Sequence, residues 1–121
     1  MNPAVPVTNP AVALQRLGND QSLLTALTAY FLEDAPGLMG QLRAANESGS
    51  IEEVVQTAHG LKGLAATFEA IPFVQIAADI EAHAKAGDRT AISSLLPPLQ
   101  REFERLVAVL EASTKSATPT S

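Results

Sequence analysis

The sequence predicts an all-α fold, an up-down-up-down four-helix bundle with a short extra N-terminal helix. Three observations lead there. Apolar residues recur every three or four positions over most of the chain, and no stretch shows the two-residue alternation of a strand. Hydrophobic residues make up 46% of the sequence but aromatic residues only 4%, so the core is expected to be mostly Leu, Ala, Ile and Val. Such a mixture suits helix-on-helix packing better than a β-sandwich. Finally, 121 residues suffice for one domain.

The first ten residues, MNPAVPVTNP, hold three prolines and no charged side chain and read as an extended linker, 1–10. A short helix over about 11–17 follows and ends at Gly18. The second helix, about 21–47, carries Leu24, Leu27, Phe31, Ala35, Leu38, Leu42 and Ala45 on one stripe, with Asp20 as N-cap and Gly49 as stop. Pro36 lies inside it and is expected to kink it, because the ring removes a backbone donor. Gly37 and Gly40 flank that kink and read as its accommodation.

The third helix opens on Ser50-Ile51-Glu52-Glu53, the pattern of a capping box, and its stripe is Ile51, Val54, Ala58, Leu61, Ala65 and Phe68. The fourth, about 70–86, carries Phe73, Ile76, Ala77, Ile80 and Ala84 and stops at Gly87. The fifth opens at Thr90 and carries Ile92, Leu96, Leu99, Phe103, Leu106 and Leu110. Pro97 and Pro98 are expected to kink or split it. Short connections make consecutive helices antiparallel. Ser113 to Ser121, rich in Ser, Thr, Ala and Pro, read as a frayed tail. The expected division is therefore linker 1–10, bundle 11–112 and tail 113–121.

Composition narrows the function classes. The formal net charge is −5, and no basic stripe exists to neutralise a nucleic-acid backbone. There is no cysteine, which excludes disulfides, thiolate–zinc sites and thiol catalysis. No apolar run approaches the roughly 18–20 residues of a membrane span, and no secretory signal pattern opens the chain. The expected setting is the cytoplasm, either as a free protein or as a domain of a longer one.

The informative stretch is Ala58-His59-Gly60-Leu61-Lys62-Gly63. His59 lies about 130° from the mean direction of the third helix's apolar stripe, so it should face solvent while Ala58 and Leu61 face the core. Glu52, Val55, Gly63 and Ala66 lie within about 40° of it. A neutral imidazole nitrogen is a competent nucleophile near neutral pH. Lys62, one turn on, is a flexible point charge within reach of a phosphate held on that ring. Gly63 costs roughly 1 kcal/mol of helix propensity relative to alanine. Steric access to the imidazole explains that cost; Gly60 has no equally sharp explanation.

This stretch resembles the Ala-His-x-Leu-Lys-Gly signature of histidine-containing phosphotransfer (HPt) domains. The resemblance extends to the layout: a short first helix, a long second, the His on the third and two more closing the bundle. It implies that His59 accepts a phosphoryl group from an aspartyl phosphate of a response-regulator receiver domain and passes it to another. Lys62 would then stabilise the phosphate, Gly63 would keep the approach open, and Glu52, Val55, Gln56 and Ala66 would border the docking face. The resemblance further implies a monomeric carrier, free-standing or the terminal domain of a hybrid sensor histidine kinase. No cofactor or metal of its own is expected, the metal that neutralises the transferring group belonging to the receiver. The sequence departs from the family where many members have glycines seven and ten residues after the His, at Ala66 and Glu69 here. The alanine should preserve access, and the glutamate should give a different turn.

The same residues admit other readings. His83, in Ala82-His83-Ala84-Lys85, lacks a following glycine and reads as a surface or structural residue. A metal shared by the two histidines has no supporting ligand pattern. Glu33, Asp34, Glu52 and Glu53 read as solvated faces and caps. An ATP-using kinase is excluded by the lack of a Gly-rich phosphate loop and of acidic residues placed for magnesium. A pure docking module remains as the second class. His59 discriminates against it, since docking alone needs no nucleophile beside a lysine and a glycine.

Overall fold

The computed structural model describes the backbone of residues 7–117 and the side chains of residues 7–113. Five helices and no strand occur among these residues: α1 (Pro10–Arg16), α2 (Gln21–Ser48), α3 (Ile51–Ala66), α4 (Ile71–Lys85) and α5 (Arg89–Ala117). Helix α2 packs on α3, α3 on α4, α4 on α5, and α5 returns to α2, closing a four-membered ring of antiparallel neighbours.

Local chemistry sets most helix ends. The Asn9 side chain accepts the Val12 N–H at 3.3 Å, and Pro10 occupies the first position of α1, where no backbone donor is needed. Asp20 caps α2 by accepting the Leu23 N–H at 3.0 Å, and Gly49 ends it in the left-handed region at φ 76°. Asp88 caps α5 by accepting the Ala91 N–H at 3.1 Å.

Three expectations need correction. The capping box does not form: Ser50 precedes α3 but makes no side-chain cap bond, because its hydroxyl lies 3.0 Å from that of Ser48. Pro97 and Pro98 do not split α5, which is one helix. The carbonyls they leave without an intrahelical donor belong to Ser93 and Ser94, both exposed, so water can satisfy them. The termini are also more structured than linker and tail. Val7 packs against the core, Asn9 donates its N–H to Phe68 O at 3.2 Å, and α5 stays helical to Ala117. The remainder of the expected linker and tail, 1–6 and 118–121, lies outside the described residues.

The core is mostly aliphatic, with one aromatic cluster beside the α3–α4 turn. All four phenylalanines are buried; Phe31 meets Phe68 edge-to-face at 5.5 Å, and Phe103 lies 6.1 Å from Phe31 and 6.2 Å from Phe73. Around them Leu42, Val54, Leu61, Ile80, Ile92, Leu99 and Leu106 are fully buried. Each such side chain contributes about 1.5–3 kcal/mol of transfer free energy. Ala58 and Leu61, both 0% exposed, fix the rotation of α3 and so decide which residues it turns to solvent.

Glu69, expected to alter the α3–α4 turn, adopts φ 54°. This left-handed conformation is disfavoured for a residue with a Cβ. Arg16 of α1 holds it through a 2.6 Å ion pair. At this position Glu69→Gly should therefore be more stable than Glu69→Ala by about 1 kcal/mol, since both lose the ion pair and only glycine relieves the backbone. Urea midpoints of the two variants measure the difference; an equal or lower midpoint for glycine would show that the turn is unstrained.

Candidate functional site

With Ala58 and Leu61 turned inward, His59 projects outward, its side chain 67% exposed. It is not a free side chain. Its Nδ1 lies 3.1 Å from Oε2 of Glu81, which α4 presents across the α3–α4 interface. Lys62, one turn after His59, donates from Nζ to the other oxygen, Oε1 of Glu81, at 2.8 Å. Lys85, one turn after Glu81 on α4, places its Nζ 3.3 Å from Oε2. One carboxylate thus ties together an imidazole and two lysines.

Glu81 is buried, with its side chain 9% exposed. Burial alone would raise its pKa, but the pKa falls from 4.5 to about 2. The hydrogen bond from Lys62 is the main cause, joined by the hydrogen bond from Lys85 and by the charges of both lysines. Near neutral pH the carboxylate is therefore ionised and can only accept. The His59 nitrogen facing it must be the donor, which makes Nδ1–H the tautomer and leaves the lone pair on Nε2. A carboxylate that orients an imidazole in this way also stabilises positive charge developing on the ring.

Gly63 and Gly60 are exposed, and a Cβ added at either would meet no atom within 4 Å. Neither glycine is required for packing. For Gly63 this refines the steric expectation: an alanine would not touch the resting imidazole, so crowding requires a longer side chain or an incoming partner. Of the four docking candidates, Glu52 and Gln56 are exposed, while Val55 and Ala66 are half-buried, Val55 packing on the core. His83 is half-buried, with Nδ1 3.8 Å from Asp88 Oδ2. Among the described residues no three His, Asp or Glu side chains cluster as a metal site.

Glu81 and Lys85 are the residues that reading the sequence missed. A signal for Glu81 was present. It lies four residues after Ala77 and three before Ala84, in register with the apolar stripe of α4. A carboxylate at a core-facing position needs a cation, but periodicity does not reveal which residue of which helix supplies it.

The family model described as Hpt domain matches residues 26–112 of the chain. Among solved structures, histidine-containing phosphotransfer protein B (HptB) from Pseudomonas aeruginosa PAO1 superposes with a TM-score of 0.86. The match covers 95% of this chain and 100% of that one at 19% sequence identity, a likeness of fold. No curated protein sequence matches the chain. No described helix is long and apolar enough to cross a membrane.

Proposed function

Because the chain belongs to the Hpt domain family, we propose that it is a phosphorelay carrier whose His59 takes a phosphoryl group from an aspartyl phosphate of one receiver domain and delivers it to another. The observation that supports this reading best is the exposed imidazole held through Nδ1 on Glu81, beside a lysine.

The chemistry follows from that arrangement. The Nε2 lone pair forms the N–P bond as the acyl P–O bond of the aspartyl phosphate breaks, and that electron pair leaves on the receiver's carboxylate. The proton stays on Nδ1, so the phosphorylated ring is cationic and faces the Glu81 carboxylate. In the onward step the N–P electron pair returns to Nε2 as the next receiver's carboxylate attacks phosphorus. Both linkages are high-energy, so transfer runs in either direction. The helices supply position, and the receiver supplies most of the charge stabilisation of the transferring group. Receivers dock on the face bordered by Glu52, Val55, Gln56, Gly63 and Ala66. The carrier acts as a monomer in the cytoplasm or as a cytoplasmic domain of a membrane-anchored hybrid kinase.

The direct test offers the purified protein two donors. A phosphorylated receiver should yield one acid-labile phosphoryl group per chain, mapped by mass spectrometry to His59. ATP with Mg²⁺ alone should yield none, because the chain has no phosphate-cradling loop. Stoichiometric labelling from ATP would overturn the carrier reading.

Lys62 assists charge and is not the acceptor. Lys62→Ala should therefore slow transfer by about 1–3 kcal/mol of transition-state stabilisation without abolishing it. Single-turnover transfer from a phosphorylated receiver measures this, and a wild-type rate would remove Lys62 from the mechanism.

A further inference from the structure

Two lysines on one carboxylate is more cation than a resting ion pair needs. We propose that Lys85 is a standing counter-charge for Glu81, keeping the carboxylate neutralised when Lys62 turns from it to the phosphoryl group on His59; this rests on the reading of His59 as the phosphoryl acceptor.

The contacts divide the labour. Among the described residues Lys62 alone reaches Oε1, whereas Oε2 is shared by His59 Nδ1 and Lys85 Nζ. Lys62 stands one turn from His59 on the same helix, so a dianionic phosphoryl group on Nε2 competes with Glu81 for its ammonium. A lysine can make that move by rotating about its flexible stem. Glu81 cannot follow, because it is buried on the neighbouring helix. With only the imidazole beside it and no lysine, the buried carboxylate would be under-neutralised and would repel the incoming phosphate.

Lys85 meets that need. It sits four residues after Glu81 on α4, the favourable order for a Glu–Lys pair, and helix geometry keeps it there whatever Lys62 does. Between two exposed side chains such a pair contributes little. Here the acid is withdrawn from water and the attraction is less screened. The Lys85 side chain is 63% exposed, so its ammonium stays hydrated while it neutralises the oxygen that faces the imidazole. It touches no reacting atom and is a positioning residue acting through Glu81.

The test uses phosphoramidate as a small donor, so that no receiver is needed. The N–P bond to His59 Nε2 forms as the donor's P–N bond breaks, and ammonia leaves with that electron pair. The rate of labelling is compared in wild type, Lys85→Met, Glu81→Gln and the double variant. Lys85→Met, which keeps the apolar stem, should slow labelling about tenfold when Glu81 is present and less than about twofold in the Glu81→Gln background, the coupling of side chains in one network. An unchanged rate in the single variant overturns the proposal. A tenfold loss that persists in the double variant also does so, because Lys85 would then act on the phosphate directly. The ring ¹⁵N shifts of His59 in unphosphorylated Lys85→Met should still report Nδ1–H; loss of that tautomer would make Lys85 a prop for the Glu81 side chain and overturn the charge role. Wild type that takes no label on His59 refutes the acceptor reading itself, and this proposal with it. Wild-type labelling without a Lys85 effect refutes only the proposal.

Discussion

His59→Gln is expected to abolish phosphoryl uptake from a phosphorylated receiver and to leave the bundle intact. The loss should be complete, because glutamine has no nucleophilic ring nitrogen and the bonds of Lys62 and Lys85 to Glu81 create no alternative acceptor. The fold should survive because His59 contributes no core packing; its side chain is 67% exposed, and its partner Glu81 keeps both lysines. Glutamine is the informative replacement, since its amide can still donate to Glu81 and so spare the buried carboxylate an empty site. Radiolabel transfer followed by acid treatment, with a thermal melt on the same sample, decides the matter. Acid-labile label on the variant would move the acceptor elsewhere. A melting midpoint lowered by more than about 5 °C would mean that the imidazole is a stability element, which its exposure argues against.

The parts of this site that were legible in the sequence lie on one helix, and the parts that were not lie between helices. The outward direction of His59 follows from Ala58 and Leu61 alone, since a 3.6-residue period leaves α3 only one way to bury its stripe. The spacing of His59, Lys62 and Gly63 is likewise a property of a single helix. Glu81 enters from α4, and its meeting with His59 depends on the register between two packed helices. Hydrophobic periodicity says which faces meet but not which turns lie level. The same limit accounts for Lys85, which looks like a surface residue until the carboxylate it serves is known to be buried. The capping box failed for a related reason: the pattern names a donor and an acceptor but omits Ser48, a competing hydroxyl two residues away. The prolines of α5 mislead in the opposite direction, because their effect depends on whether the carbonyls they orphan reach water, as exposed Ser93 and Ser94 allow.

Gly63 carries the second large expected effect, and it separates chemistry from structure. Helix propensity says that Gly63→Ala should stabilise α3 by up to about 1 kcal/mol. The structure raises no objection, as an added Cβ meets nothing within 4 Å. A glycine retained at an exposed helical position with open space around it has no reason inside the chain, so the reason is sought in what approaches from outside. Position 63 lies one turn from His59 and within about 40° of it on the helix surface, under the path of any donor reaching Nε2. Gly63→Leu should therefore keep the bundle folded, with a thermal midpoint no lower than wild type, yet transfer phosphate from a receiver about a hundredfold more slowly, because displacing the donor by about 1 Å can cost that much. Gly63→Ala should fall between, stabilised but only modestly slowed. The two leucine measurements, midpoint and single-turnover rate, belong on one preparation. Transfer at the wild-type rate would show that the glycine is incidental. A collapse of the midpoint would show a packing role that the open space around its Cα denies. With phosphoramidate in place of the receiver the leucine penalty should shrink, since a small donor needs less clearance than a docking domain. A penalty equally large with both donors would locate the obstruction at the imidazole rather than at the partner's surface.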